Sequence, residues 1–438
     1  MHPSGRDSTP YRKKLIEVAL PLEAINAASA REKSIRHGHP STLHLWWSRK
    51  PLATCRAVLF ASIVDDPSSR PEEFPTEEAQ EAERQRLFGI IERLVLWENT
   101  NNEKVLNEAR AEILKATDGH PPPVLDPFCG GGSIPLEAQR LGLEAHASDL
   151  NPVAVLITKA LIEIPPKFAD MPPVNPDARR KMQTTLKGER AWRGAAGLAE
   201  DVRYYGKWMR DEAEKRIGHL YPKARLSDGS EATVIAWIWA RTVRCPNPAC
   251  GAMMPLTSKF VLSTKKGKEA WVEPIVDSDR NIRFEVRTGR GMVQSGTKER
   301  GKSRCLICGI NNITDSMLRN QAMQYGLGSQ LIAIVTESDH GRIYVSPQPN
   351  SIANVEIPEA IWLDQPMPEN PRWFSPPGYG LRNYKDIFTP RQLVALTTFS
   401  DLVADARRRA LADAQAAGLP EGEGIADGGR GARAYADA

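Results

Sequence analysis

At 438 residues and 41% apolar content, the chain exceeds one average domain and predicts about two or three units with sizeable cores. Its 58 basic and 54 acidic residues leave a net charge of +4, which neither demands nor excludes a nucleic-acid partner, so local patches must decide. No run of 18 apolar residues argues for a membrane span, the first residues lack a signal-peptide apolar region, and a cytoplasmic location is expected, where six cysteines favour metal or free thiols over disulfides.

In chain order, Leu15–Leu20 predicts a strand or short helix, and Leu22, Ile25 and Ala28 fall at helical spacing. The stretch His37 to Pro51 holds three histidines, two tryptophans and two cations just before Pro51, which can open a helix carrying Leu52, Val58, Leu59 and Ile63. A metal site from His37, His39 and His44 is one reading, and a packed tryptophan pair beside a loop is another. Residues 65–84 are acidic and predict an exposed insertion. Residues 85–116 predict one or two amphipathic helices.

Val124-Leu125-Asp126-Pro127-Phe128-Cys129-Gly130-Gly131-Gly132-Ser133 predicts a strand that ends in an acid and runs through a tight glycine loop into a helix. Glycines let a backbone approach a ligand closely, and the helix's first turn offers unpaired N–H groups. Glu144 to Asp149 predicts a second strand, with its acid 23 residues after Asp126. An acid there is placed to accept hydrogen bonds from a ribose, so a nucleotide-like ligand is expected. Asn151-Pro152 then opens a helix, and prolines between 165 and 176 make a linker. Residues 178–218 read as charged helix, and the cations along 179–193 either face a polyanion or form a solvated face.

Thr233 to Ala240 predicts a strong strand that leads into Cys245-x₄-Cys250-Gly251, and Cys305-x₂-Cys308-Gly309 follows after 54 residues. Each pair ends in Cys-Gly, which suits a knuckle turn with N–H groups facing sulfur. Short β-like pieces lie between the pairs. This pattern predicts a zinc ribbon with four thiolates in a closed structural site, with Cys55 and Cys129 outside it. The insert is rich in Lys and Arg, including Lys265, Lys266, Lys268 and Arg290, and faces nucleic acid in one reading and only solvent in the other. A hairpin is expected from Ile332–Val335 and Gly341–Val345. Thr389-Pro390-Arg391-Gln392 is a capping box opening a helix to about Ala416. The Gly- and Ala-rich residues 417–438 predict a disordered tail.

The Asp126–Gly132 loop with Asp149-Leu150-Asn151-Pro152 resembles the S-adenosylmethionine motifs of amino-methylating DNA methyltransferases. With the 39–51 stretch, the four ribbon cysteines and the Phe388–Gln392 helix start, the chain resembles the N-terminal part of zinc-ribbon-containing adenine-specific DNA methylases. These carry an N-terminal domain of unknown function, number 1156. The resemblance implies an α/β fold: a partial Rossmann-like methyltransferase core with an inserted β-rich zinc ribbon and helical additions. It implies cofactor contacts from Asp126, Pro127, Phe128, Gly130, Gly131 and Gly132, from Asp149, Leu150, Asn151 and Pro152, and from Ser48, Lys50 and Pro51 in an element that closes over the cofactor. It implies zinc on Cys245, Cys250, Cys305 and Cys308, and DNA as partner, with adenine amino groups as methyl acceptors. Some relatives sit in phage-defence gene clusters.

One departure stands out. Such enzymes need an Asp/Asn/Ser-Pro-Pro-aromatic loop, and Ser375-Pro376-Pro377-Gly378-Tyr379 puts glycine where the aromatic belongs. The catalytic residues are therefore left open. A truncated or split product that needs a second chain with that loop is expected. The alternatives are a zinc-ribbon nucleic-acid-binding protein with a vestigial methyltransferase fold, and an RNA or protein amine methyltransferase. The expected domains are 1–64 with the closing element, 65–120 helical insertion, 121–176 cofactor-binding βαβ unit, 177–230 helical linker, 231–320 zinc ribbon, 321–416 hairpin, loop and helix, and 417–438 tail.

Overall fold

A computed structural model describes residues 11–184, 192–338, 341–348, 364–370 and 375–438. Of the 179–193 cations, those at 185–191 lie outside the described residues, as do 349–363 and 371–374 of the loop-like, proline- and aromatic-rich stretch expected at 346–383. The protein is mixed α/β. Two compact units divide it: residues 1–203 with 410–438, and residues 204–409.

The first unit is mainly helical. Helix Leu52–Ile63 is buried on most sides, and helices Leu22–Glu32, Glu77–Leu94 and Glu103–Ala116 pack around it. Phe60, Ile90, Ile91, Leu94 and Ile113 meet in a single core that also takes in Ala138, Leu141, Val124 and Ala145. The boundaries expected at 64 and 120 therefore do not divide this core, and the helices of 77–116 form part of the wall behind the glycine loop. The expected exposed insertion starts as buried structure. Asp66 is fully enclosed, accepts from the Ser68 N–H and hydroxyl, and takes both Arg84 Nε and Nη2 at 2.9 and 3.0 Å. An acid can be buried when its oxygens are bonded this fully.

Charge also crosses the middle of the core. Arg56 is enclosed and donates to the Leu94 carbonyl at 2.7 Å and to Thr100 Oγ1. Its Nε stands 2.6 Å from Glu137 Oε2, at an angle that makes no hydrogen bond, so the two meet as charges. Arg140 also pairs with Glu137.

Strands Val124–Asp126 and Ala145–Ala147 pair in parallel, in register Leu125 to His146. Helix Ser133–Arg140 connects them. Among the described residues this sheet has two strands only. Its inner face meets the helical core, while Leu125 on the other face is 68% exposed.

The last residues are not a disordered tail. A helix at Ala432–Asp437 buries Ala432, Ala434 and Tyr435 against Phe168, Val174, Leu198 and Ala414. Tyr435 Oη donates to Asp201 at 2.6 Å, and Asp201 also accepts the Val174 and Asn175 N–H groups. Alanines allow the close approach, and one aromatic anchor supplies the buried area.

The second unit is built on an antiparallel sheet in the order Gly341–Val345, Gly328–Ser338, Val234–Arg244, Met253–Leu256. The expected hairpin is its first pair, and the sheet crosses the expected boundary at 320. Strands Val261–Ser263, Ala270–Val276 and Ile282–Thr288 form a second sheet. The predicted capping box is present: the Thr389 N–H donates to Gln392 Oε1 and the Gln392 N–H to Thr389 Oγ1, opening helix Pro390–Ala416. No helix among the described residues is long and apolar enough to cross a membrane.

Candidate functional site

Two places gather chemistry, one in each unit. In the first unit the loops after the two parallel strands are laced together. The Ser148 N–H donates to the Asp126 carbonyl, the Cys129 N–H to the Ser148 carbonyl, and Ser148 Oγ to the Pro127 carbonyl. Asp126 Oδ1 accepts the Phe128 N–H at 3.2 Å. Asp149 accepts twice, from the Gly130 N–H at 2.9 Å and from the Asn151 N–H at 2.8 Å. The acid at the second strand's tip thus holds the glycine loop in place. The Asn151 and Gly130 N–H groups keep its carboxyl below the usual range, against a small desolvation effect. Asn151 caps helix Pro152–Ile162 through the Val153 N–H, with Pro152 at the first helical position.

Gly130 and Gly132 hold positive φ of 50° and 73°, which side-chain-bearing residues rarely adopt. They are also crowded. A Cβ on Gly130 would lie 2.5 Å from Trp46 Nε1, one on Gly131 3.1 Å from Trp46 Cβ, and one on Gly132 2.9 Å from Thr158 Oγ1. Trp46 therefore rests directly on the loop. The 37–51 segment that carries it is pinned by His39, which is enclosed. His39 Nε2 faces Glu32 Oε1 at 2.8 Å, and Nδ1 accepts from the Ser41 N–H at 3.0 Å. Glu32 also accepts the Ala53 N–H in the first turn of helix Leu52–Ile63. His39 is thus part of a structural pin, and the three histidines do not converge on one point. A small cleft lies between this segment and the crossover helix, lined by His44, Trp46, Arg49, Gly131, Ser133 and Leu136.

The expected contacts divide on exposure. Gly130, Gly131, Gly132, Asp126 and Asp149 come together at the loop. Phe128 and Leu150 face solvent, at 79% and 95% exposure. Ser48 and Lys50 are exposed, Pro51 precedes the helix as its cap, and Arg49, half-buried, turns toward the cleft. Neither Trp46 nor Ser133 is singled out by the sequence as a contact, whereas Arg49 belongs to the Trp47–Pro51 stretch expected to close over the cofactor. Nothing in a Trp-Trp pair says which ring packs; here Trp46 covers the loop and Trp47 is 85% exposed.

In the second unit Cys245, Cys250, Cys305 and Cys308 converge, with all four sulfurs within 4.8 Å of one another. Cys245 Sγ is 3.8 Å from Cys308 Sγ, and Cys250 Sγ is 3.9 Å from Cys305 Sγ. A tetrahedral ion with thiolates at about 2.3 Å has edges of about 3.8 Å, so the spacing fits a metal ion. Both knuckles turn through glycine, Gly251 at φ 59° and Gly309 at φ 76°. Backbone N–H groups of Asn247, Ile307, Cys308 and Ile310 face the sulfurs. Desolvation raises the Cys245 and Cys305 thiols. At Cys308 desolvation acts the same way, but the Ile310 N–H and the neighbouring thiols outweigh it and bring the thiol to about 7. Cys55 and Cys129 stand apart, and Cys129 Sγ meets Thr158 Oγ1.

Ser375–Tyr379 forms a proline turn in which Arg319 lies over the Tyr379 ring at 5.5 Å. That aromatic is engaged within its own unit.

Residues 19–90 match the family model DUF1156, described as a protein of unknown function. The matched stretch includes the Glu32–His39 pin and Trp46, and it ends before the glycine loop and the four-cysteine cluster. No curated protein and no solved structure matches the chain.

Proposed function

We propose that the first unit binds S-adenosylmethionine at the Asp126–Gly132 loop and that the protein serves methylation of adenine amino groups in DNA. The observation that carries this reading is the pair of hydrogen bonds that Asp149 accepts from the Gly130 and Asn151 N–H groups, which sets a carboxylate at the second strand's tip beside a glycine loop. The parallel strand–loop–helix–strand order supports a partial Rossmann-like arrangement around it. The cofactor would be held by the Asp126, Pro127, Phe128 and Gly130–Gly132 segment, by Asp149, Leu150, Asn151 and Pro152, and by Ser48, Lys50 and Pro51 of the neighbouring segment. Bound there, it would supply an electrophilic methyl group. The free oxygen lone pairs of Asp149 would take ribose hydroxyls, and exposed Leu150 would give an adenine ring an apolar neighbour.

The residues that would present the acceptor amine belong, in this reading, to a second chain with a Pro-Pro-aromatic loop. Parallel sheets are normally paired and covered on both faces. The two-stranded sheet, with Leu125, Phe128 and Leu150 exposed, supports a partner that supplies strands there. Zinc is the ion we assign to the four cysteines, because four thiolates in a closed tetrahedron select it in a structural role.

Calorimetry with S-adenosylmethionine, comparing wild type with Asp149→Ala, tests the cofactor claim. Binding by wild type and a loss of at least about tenfold in the variant are expected, the equivalent of one charge-assisted hydrogen bond. Equal binding, or none in either protein, would sink it. A zinc-dependent nucleic-acid-binding protein without cofactor then becomes the better reading, since the cysteine cluster stands independently.

A further inference from the structure

We infer that one end of the second unit's three-stranded sheet is a docking site for the phosphate backbone of duplex DNA, made by Lys265, Lys266, Arg290 and Arg342. The inference rests on the DNA reading above and adds the place where the duplex sits. Strands Val261–Ser263 and Ala270–Val276 are joined by Thr264-Lys265-Lys266-Gly267-Lys268-Glu269. Strand Ile282–Thr288 returns to the same end and exits through Gly289-Arg290-Gly291, where the Gly289 N–H donates to the Glu269 carbonyl at 3.0 Å. The neighbouring hairpin reaches this end as well, since a Cβ on Gly341 would lie 3.4 Å from Lys268 Nζ. Arg342 is the next residue.

Lys265, Lys266, Arg290 and Arg342 are exposed, and none makes an ion pair among the described residues. That sets them apart from the cations lower on the same sheet. Arg287 is held by Glu273 at 2.6 Å and by Glu285, and Arg283 also pairs with Glu285. Along helix Ala196–Ile217, Lys207, Arg210 and Lys215 are likewise neutralised by Asp211 and Glu212. Four cations without an ion pair among the described residues thus meet on adjacent chain reversals. Three strands span about 10 Å, at roughly 4.8 Å per step. A duplex places one negative charge per ~1.7 Å of axis, so cations at this spacing meet a run of phosphates. Contacts of this kind position a duplex without reading its sequence.

The test measures binding of a 30-base-pair duplex of arbitrary sequence to the full chain across a salt series. Lys265→Ala/Lys266→Ala/Arg290→Ala should bind at least about tenfold more weakly at 0.1 M salt. Its slope of log affinity on log salt should fall by about 3, one for each lost phosphate contact. Lys207→Ala/Arg210→Ala/Lys215→Ala removes the same charge elsewhere and should leave the slope within about one of wild type. Unchanged circular dichroism and metal content would show that both variants fold. An equal fall in both variants, or none in the first, overturns the docking site while leaving DNA binding standing. A wild-type chain that binds no duplex overturns the DNA reading itself, and the site with it.

Discussion

The glycine loop and the cysteine knuckles use the same device: backbone N–H groups turned by glycine toward negative charge. At the loop, Gly130 and Asn151 donate to Asp149. At the knuckles, the N–H groups of Asn247, Ile307, Cys308 and Ile310 face sulfur, and Gly251 and Gly309 lie in the turns. Their surroundings differ. The four sulfurs already sit at the corners of a tetrahedron, so an ion would find every ligand within one unit. The loop has a floor and one wall, with Phe128 and Leu150 open to solvent and a sheet of two strands beneath. Closing a site takes ligands, whereas completing one that handles a substrate takes neighbouring strands and loops as well.

The sharpest way to break this comparison is to open the closed site. Cys305→Ser should abolish stoichiometric metal binding and unfold the second unit at room temperature. Structural zinc contributes about 10–16 kcal/mol in small thiolate sites, beyond the stability of a domain this size. Metal analysis with circular dichroism checks it, and a full equivalent of zinc retained in a folded variant would contradict the closed-site reading.

Next in size is the floor of the open site. Arg56→Met should destabilise the first unit by about 3–5 kcal/mol, because Glu137 is left as a buried charge with only Arg140 beside it. Arg56→Met/Glu137→Leu should recover most of that. Urea denaturation of both variants decides the matter; equal loss in the double variant would mean that the cost is packing and not charge.

A smaller effect is expected where the loop meets Trp46. Gly130→Ala places a Cβ against the indole at a φ of 50°, and the left-handed backbone alone costs about 1–2 kcal/mol. The first unit's melting temperature should fall by a few degrees, and the change in tryptophan fluorescence should localise the effect to Trp46. Gly130→Ala/Trp46→Ala relieves the clash but not the φ, so it should recover only part of the loss. A loss in the single variant that Trp46→Ala does not relieve at all would show that Trp46 does not rest on the loop.

The smallest effect is electrostatic. Asp149 has a lowered carboxyl pKa in the folded chain, so it favours the folded loop above its unfolded value near 3.9. That contribution disappears as pH falls through the lower folded value. The Gly130 and Asn151 amide resonances should shift with a midpoint below 3.9, while a midpoint at or above it would mean that the two hydrogen bonds are absent in solution.

Much of this was legible because it is local. Thr389-Pro390-Arg391-Gln392 announces its own helix start, and Cys-Gly announces its own turn. The strand–glycine–helix pattern at Val124 needs no distant partner to be read. The misreadings all depend on contacts far along the chain. Asp65-Asp66 looks like a solvated acid pair until Arg84 reaches back to it. Residues 432–437 are too short for a helical period to show, and their burial depends on Asp201, more than two hundred residues earlier. Trp46 and Trp47 are alike as letters, and only the fold puts one on the loop and the other in water. The single core shared by residues 15–145 hides the domain joints expected from composition.

The clasp between Tyr435 and Asp201 has a consequence for chain topology. It joins the last helix to residues just before the second unit begins, so the first unit is assembled from both ends of the sequence. The second unit is a guest within it. The guest's own ends also meet: Arg409 lies over the Trp208 ring at 5.2 Å, and Arg216 pairs with Asp405 at 2.9 Å. A segment whose ends lie side by side can be exchanged or lost with little strain on its host. The host here keeps the glycine loop and the clasp, and the guest carries off the thiolates and the basic turn. The glycine loop and the cysteine cluster would then be separable parts of one chain, open to change independently.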